Sequence, residues 1–301
     1  MMLKAMGIVP GSPRAWLTGI RLPTLTAAIA PVVVGSSVAF RDEVFDLGPA
    51  CAALVGAIAL QIGANFANDL SDYRRGADTS ARIGPPRVMQ LGLLTEREVI
   101  IGMAVSFFFA VVAGLYLSFV SGWPVLVIGA ASICAAITYT GGPWPFGYRG
   151  LGELFVFIFF GLIAVSATYY VQAGEVTQSV VAAAIPVGLT VTAILIVNNV
   201  RDIETDREAR KFTLAVYLGR RLARYQYVLF MVSAYVSAAA LFIVGSFSGW
   251  TLLAWLSIPA AVSPMIAVLT RVEGPPLNIA LRATARLHLI FAILLAIGLS
   301  R

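Results

Sequence analysis

Asn65-Phe-Ala-Asn68-Asp69-Leu-Ser-Asp72-Tyr-Arg74-Arg75-Gly-Ala-Asp78 closes one membrane-length apolar run, and Asn198-Asn199-Val-Arg201-Asp202-Ile-Glu204-Thr-Asp206-Arg207 closes another. Both contain Asn-x3-Asp (Asn68/Asp72 and Asn198/Asp202), with further carboxylates just beyond. Ionisable side chains at membrane depth are costly and mark function by default. A single such cluster reads equally well as solvated carboxylates paired with neighbouring arginines. Two of them, about 130 residues apart and of the same chemistry, point instead to a divalent-metal site shared by two halves of a membrane enzyme.

The rest of the chain agrees with a membrane setting. Of 301 residues 59% are apolar and 12% charged, and the mean hydropathy is +0.88; soluble domains carry about a quarter charged residues. Apolar runs of roughly 18 residues or more can cross the bilayer as helices. Nine are expected, at 22–40, 47–68, 99–120, 122–140, 151–173, 179–199, 222–246, 250–270 and 281–300. They define an all-α membrane protein, one polytopic domain over 1–301 with nine transmembrane helices around a central cavity. Ser121 and Gly122 leave a tight turn between the third and fourth. With the N-terminus placed in the cytoplasm, all but Arg41 and Arg301 of the 21 Lys and Arg residues fall on the cytoplasmic side, as the positive-inside rule requires. The C-terminus is then outside, and both Asp clusters face the cytoplasm.

Several chemistries are excluded by composition. Cys51 and Cys134 lie in apolar runs and read as small buried hydrophobes, and His288, the one histidine, reads as packed in the last helix. Zinc sites and Ser-His-Asp triads have no ligands to use. The first twenty residues show no apolar core with a small-residue cleavage site; an amphipathic arm (Trp16, Leu17, Ile20, Leu22) is expected at the cytoplasmic interface. The net charge of +6 belongs mostly to the ordinary cytoplasmic rim, and nucleic acid is not an expected partner.

Residues four apart share a helix face. Asn198, Asp202 and Asp206 form one stripe, Asn68 and Asp72 the start of another, and Asn65 and Asp69 a third one step round the helix. The first helix is expected to end near Gly76, with Asp78 returning from the loop. Hard oxygen donors without His or Cys select Mg²⁺, or Mn²⁺ as the alternative. Asp69, Asp72, Asp78, Asp202 and Asp206 are the metal ligands, more than one bare ion needs and suited to two ions on a diphosphate. Arg74, Arg75, Arg82, Arg87, Arg201, Arg207 and Lys211 lie in or just after the clusters. Metal plus guanidinium can neutralise the charge growing on a departing diphosphate. A diphosphate held at the mouth of an apolar helical cavity implies a polyprenyl diphosphate.

These residues resemble the intramembrane UbiA-type prenyltransferases, and most closely the branch that prenylates 1,4-dihydroxy-2-naphthoate in menaquinone synthesis. The resemblance rests on Asn65 to Asp78 and on Arg82-Ile-Gly84-Pro85-Pro-Arg87-Val-Met-Gln90-x-Gly92. It extends through Tyr139-Thr-Gly-Gly-Pro143-x-Pro145-x-Gly-Tyr148-Arg149-Gly-Leu-Gly-Glu153 and Asn198 to Gly219. Arg210 stands where the family commonly has Gly, and the Asp72-to-Asp78 spacing is looser than the Asp-x3-Asp of much of the superfamily. What the resemblance implies is Mg²⁺-dependent alkylation of an aromatic ring at the cell (inner) membrane, with the site facing the cytoplasm. For a dihydroxynaphthoate acceptor, attack at the carboxyl-bearing carbon is followed by loss of CO₂, towards demethylmenaquinone. Asp72, Asp202, Lys211, Arg207, Tyr139 and Arg149 are the expected catalytic set. Asn65, Asn68, Arg74, Arg82, Arg87, Asn198, Asn199, Arg201 and Tyr148 are expected to bind substrate or metal-bound water. Other acceptors (4-hydroxybenzoate, homogentisate, or more remotely haem or chlorophyllide) keep the same chemistry. A secondary transporter is the alternative of a different class; its polar sites would lie near the bilayer centre and not at helix ends beside basic loops.

Overall fold

The structure is a computed structural model, and it describes residues 7–77, 83–85, 87–272 and 274–301. Asp78 and Arg82 of the expected site lie outside them. The described residues are helical apart from turns and connecting loops. In chain order the helices are α1 (Pro13–Ile20), α2 (Thr26–Arg41), α3 (Leu47–Arg74), α4 (Glu96–Ser121), α5 (Pro124–Thr138), α6 (Gly152–Ala173), α7 (Gln178–Glu208), α8 (Leu214–Ile243), α9 (Gly249–Thr270) and α10 (Gly274–Leu299). A 3₁₀ turn at Leu22–Leu25 joins α1 to α2, a π-helical stretch (Phe157–Ile163) lies within α6, and α9 opens as a 3₁₀ helix.

Polar residues at the helix starts satisfy backbone N–H groups that have no intrahelical acceptor. Asp46 accepts from the Gly48 N–H at 2.9 Å and Thr177 from Val180 at 3.3 Å. Thr95 and Glu98 form a full capping box at the start of α4. After α3 the chain turns at Gly76 with φ +68°, a left-handed conformation that costs a side-chain-bearing residue energy, so the helix stops at Arg74. Pro23 and the left-handed Arg21 (φ +57°) similarly divide α1 from α2.

Among the described residues, eight helical segments are long and apolar enough to cross a membrane, the first being α1 and α2 taken together as Pro13–Arg41. The chain is a multi-pass membrane protein. The ninth expected span, 122–140, forms α5, which has 15 residues. That is roughly 22 Å of helix against a hydrocarbon core about 30 Å thick. Gly122 (φ +91°) and Pro124 delay its start, so two residues of the expected run are spent on the turn.

α3 packs along α4, α7 along α8, and α10 against α2, α7 and α9. The main core joins α2, α6, α7, α8, α9 and α10 through buried Val, Ala, Leu and Ile side chains. Where α6 crosses α7, Gly161 meets Gly188: a Cβ on Gly161 would stand 2.5 Å from the Gly188 Cα. Small residues allow such close approach between membrane helices.

One sequence expectation is corrected. Cys51 and Cys134 are free and exposed on the outer faces of α3 and α5, the side on which lipid would lie. An apolar run carries no mark separating lipid-facing from protein-facing positions. The α1 arm packs onto the bundle: Ala15 and Gly19 are buried, Trp16 meets Phe66 edge-on at 5.9 Å, and Leu17 and Thr18 help line the cavity described next. His288 is fully buried, with Nδ1 2.8 Å from the Thr190 hydroxyl.

Candidate active site

A cavity of about 740 Å³ runs through the bundle between α2, α3, α4, α5, α6, α7 and the start of α10. On α3 its lining follows the four-residue step of one helix face: Ala53, Ala57, Leu60 and Gln61, Ala64, Asn68 and Asp72. At 1.5 Å per residue this wall is about 28 Å long. The Asn68/Asp72 pair quoted first is the polar end of an otherwise apolar stripe.

That polar end is where the two clusters meet. Asn68, Asp72, Arg87, Tyr139, Thr140, Asn198, Asn199 and Lys211 all line it. Asn68 accepts a hydrogen bond from the Thr140 hydroxyl at 2.9 Å. Asp72, 1% exposed, accepts from Arg87 at 3.1 Å and from the Tyr148 hydroxyl at 2.8 Å. Lys211 Nζ lies 3.7 Å from Asp206 and 5.4 Å from the centroid of the Tyr148 ring. The backbone of the same loops is tied together by the Phe212 N–H donating to the Tyr148 carbonyl at 3.1 Å.

Every carboxylate described in the two clusters' buried part has an internal cation against it. Arg87 reaches Asp69 at 2.6 Å as well as Asp72, and Arg21 from the arm also pairs with Asp69. Arg201 binds both oxygens of Asp202, at 2.8 and 2.5 Å. A buried charge is stable only when paired and hydrogen-bonded, so this matching is what lets the acids sit inside. Burial pulls the Arg87 guanidinium down to about 10, with Asp202 holding it up and Arg201 pushing it down. It therefore stays cationic at neutral pH.

The structure sorts the remaining expected residues. Asn65 does not reach the cavity; it donates to the Ile20 carbonyl at 2.8 Å and to Thr24 at 2.9 Å, holding the arm. Asp69 is buried behind Asp72, where it accepts from Val88 N–H at 3.3 Å as well as from the two arginines. Arg201 is 2% exposed and spends its guanidinium on Asp202, Asn198 (2.8 Å) and Asn278 (2.9 Å), so it is a partner of the acids and no lining residue. Arg74 pairs with Glu96 and Arg207 with Glu204, both at the surface. Arg149 is exposed, its guanidinium 5.1 Å over Trp144. Asp202 and Asp206 are buried at the end of α7.

Residues given no role by the sequence complete the site. Arg21, Thr24, Gln61, Asn278 and Arg282 line the cavity. Glu153, 4% exposed, accepts from Asn199 at 2.9 Å, and its second oxygen is buried without a hydrogen-bond partner. Phe146 and Phe155 stack at 3.9 Å in the wall beside Tyr139. Asn278 also donates to the Ile83 carbonyl at 2.9 Å, which ties the loop after α3 to α10. The side-chain bonds of Arg21, Glu153 and Asn278 join segments 46 to 195 residues apart in the chain, beyond the reach of local spacing.

No three His, Cys, Asp or Glu side chains among the described residues form a ready-made metal cluster. What the polar end offers at the cavity surface is one carboxylate, Asp72, flanked by the amides of Asn68, Asn198 and Asn199. Together they make an anion-attracting rim of Arg87 and Lys211 around hard oxygen donors, at the end of a long apolar shaft.

The model of the UbiA prenyltransferase family matches residues 28–297. The 1,4-dihydroxy-2-naphthoate octaprenyltransferase of Mycobacterium leprae (strain TN) is 38% identical over 93% of this chain and 94% of its own. The Escherichia coli (strain K12) protein of the same name is 36% identical over 95% of each. A UbiA homolog from Archaeoglobus fulgidus, solved bound to GPP and Mg²⁺, superposes with a TM-score of 0.65 at 16% identity, covering 95% of this chain and all of that one.

Proposed function

The chain belongs to the UbiA prenyltransferase family and is a prenyltransferase, and on that premise we propose that it transfers a polyprenyl group from polyprenyl diphosphate to 1,4-dihydroxy-2-naphthoate. The observation that carries the reading is the cavity: an apolar wall about 28 Å long that ends in Asn68 and Asp72 and faces Asn198, Asn199, Arg87 and Lys211. The acceptor assignment rests on relatives carrying that substrate in their names. The active end faces the cytoplasm of the cell (inner) membrane, the orientation favoured by the distribution of Lys and Arg.

The donor set suits Mg²⁺. It is oxygen only, and it offers few carboxylates at the cavity surface, the way Mg²⁺ is normally held when substrate phosphates supply the remaining ligands. Asp72 would be the carboxylate for it at the cavity surface, with Asp206 and the Arg201-bound Asp202 behind, and Asn68, Asn198 and Asn199 would serve as amide oxygens or partners of bound water. When bound, the ion neutralises negative charge on the diphosphate oxygens.

The chain's own groups account for the rest. Arg87 and Lys211 face the diphosphate and favour scission of the allylic C–O bond, whose electron pair leaves on diphosphate. The apolar shaft keeps water from the resulting cation-like carbon. The Tyr139 ring offers its face to that carbon. A ring electron pair at the carboxyl-bearing carbon of the naphthoate forms the new C–C bond. CO₂ then leaves, its bonding pair returning to the ring, and the product is the 2-polyprenyl naphthohydroquinone, the reduced form of demethylmenaquinone. Phe146 and Phe155 form the flat wall against which an aromatic acceptor can lie.

The test is direct. Purified protein in lipid, given polyprenyl diphosphate and 1,4-dihydroxy-2-naphthoate, should release one CO₂ per prenylated product. Prenylation of 4-hydroxybenzoate in place of the naphthoate would overturn the acceptor assignment and leave the transfer chemistry standing.

A further inference from the structure

A separate pocket lies at the surface, on the same end of the bundle as the two Asp clusters. It holds about 260 Å³ and is lined by Arg220, Arg221, Arg224 and Tyr225 of α8 and by Leu269 near the end of α9. Gly219 (φ +74°) interrupts α8, so regular helix resumes at Arg220 and the three arginines occupy its first turns. Cations there run against the helix dipole, and like charges one turn apart repel. The sequence offers little to offset them: from Arg210 to Val272 it holds six Lys and Arg residues and no Asp or Glu.

Among the described residues, only Arg220 of the three meets an acid, Glu204 at 3.3 Å, and it also donates to the Val200 carbonyl at 3.0 Å. Arg224 donates from a terminal nitrogen to the Arg271 carbonyl beyond α9, and its Nε is buried with no hydrogen-bond partner among the described residues. Arg221 is exposed, its guanidinium 6.0 Å over the Tyr225 ring. Beyond the arginines the surface turns apolar. Leu229, Val232 and Val236 continue the Tyr225 face of α8, and Ile266 and Val262 continue the Leu269 face of α9, all of them exposed. From Tyr225 to Val236 this track is about 16 Å long, close to half of a hydrocarbon core about 30 Å thick. An arginine that serves only to orient the chain in the membrane needs neither a pocket nor such a track.

We propose that this pocket binds an anionic phospholipid, with the phosphate taken by Arg221 and Arg224 and the acyl chains laid along the exposed faces of α8 and α9. Guanidinium groups bind phosphate through paired N–H donors, and basic pockets between membrane helices take anionic headgroups. A zwitterionic lipid would bring a cation of its own into a pocket whose charged lining is all arginine, so the site selects net negative charge. The inference does not depend on the identity of the prenyl donor or of its acceptor.

The experiment counts bound lipid. Full-length protein, delipidated in a non-ionic detergent, is titrated with phosphatidylglycerol and separately with phosphatidylcholine of the same acyl chains, and the complexes are read by native mass spectrometry. Expected for the parent chain is phosphatidylglycerol bound at least tenfold more tightly. Arg221→Gln should weaken it about fivefold, the worth of one basic residue at an anionic lipid surface. Adding Arg224→Gln should remove most of the remaining preference. Arg97→Gln, which removes an exposed arginine at the start of α4, should leave it intact. Equal affinities for the two lipids in the parent chain would overturn the site, and so would an unchanged preference in the double variant. An equal loss in Arg97→Gln would overturn it by showing a diffuse effect of rim charge. Stabilisation by millimolar inorganic phosphate in a thermal-shift assay, without any phosphatidylglycerol preference, would assign the pocket to a free anion and overturn the lipid. If the double variant does not fold, Leu269→Glu, which sets a carboxylate among the arginines, decides: at least a fivefold loss supports the site and no loss overturns it.

Discussion

Arg201 closes over Asp202, its Nε and a terminal nitrogen taking the two carboxylate oxygens at 2.8 and 2.5 Å, and the pair is sealed from solvent at the end of α7. They are sequence neighbours, which on a helix normally point about 100° apart. The long guanidinium wraps back because Asn278 accepts from its other terminal nitrogen and Asn198 takes a second bond from the nitrogen that binds Asp202. A charge that reads as a substrate contact in the sequence is thus the internal partner of a buried acid.

Removing that partner should cost stability more than binding. Arg201→Ala leaves Asp202 buried without its cation, a defect worth about 3–5 kcal/mol when one member of a buried pair is deleted. A large drop in thermal stability in detergent, with Arg201→Lys intermediate, is the expected result of a thermal-shift assay.

Asp72 lies at the cavity surface and can be changed with less structural damage. Asp72→Asn keeps the shape and the acceptor for Tyr148 while removing the charge. Loss of one preorganised electrostatic group costs about 10²–10³ in rate, so kcat should fall by that order with the elution profile on gel filtration unchanged. Asp202→Asn should fall by a similar factor and also lower stability, because Arg201 loses its counter-ion.

Arg87 and Arg149 make a contrasting pair. Arg87→Ala removes a buried cation shared by Asp69 and Asp72 and should abolish turnover. Arg149→Ala touches an exposed guanidinium over Trp144 and should change the barrier by less than about 0.5 kcal/mol, roughly twofold in kcat/KM. Steady-state kinetics on both variants separates the two arginines.

Chelation by EDTA should stop transfer, and added Mg²⁺ should restore it. The same titration followed by binding of a non-reactive prenyl diphosphate analogue should show tighter binding with metal present. Metal-independent turnover would rule out the oxygen-donor site.

Arg210 adopts φ +55° in the turn after α7, the left-handed region in which glycine is strain-free. This is the position where the sequence departs from the glycine common to the family it resembles. Arg210→Gly should therefore raise stability by up to about 1 kcal/mol, read as an upward shift of the melting temperature with kcat little changed.

Much of this architecture was legible because it is periodic. The runs at 47–68, 99–120 and 250–270 sit within the observed α3, α4 and α9, and 151–173 matches α6 except for its first residue, since membrane length and apolarity are local properties. The Asn-x3-Asp spacing likewise placed Asn68 and Asp72 on one face, and that face does line the cavity. Arg21, Asn278 and Glu153 were not legible as site residues. Each acts on a group 46 to 77 residues away, and no spacing rule carries across such a distance. Inward and outward faces of the apolar helices were equally hidden, as Cys51 and Cys134 show, because lipid and protein interior select the same side chains.

Asp69 accepts from Arg21 in the arm before α2, and from Arg87 and the Val88 N–H in the loop after α3. One carboxylate is therefore the keystone of two segments that never touch it in sequence. Loosening either segment weakens the anchorage of the other, so the arm and the loop should fray as one cooperative unit. In hydrogen exchange, amides of both should lose protection together in Asp69→Asn, while the long helices behind them keep theirs. Access to the polar mouth would then be governed by a single small opening event.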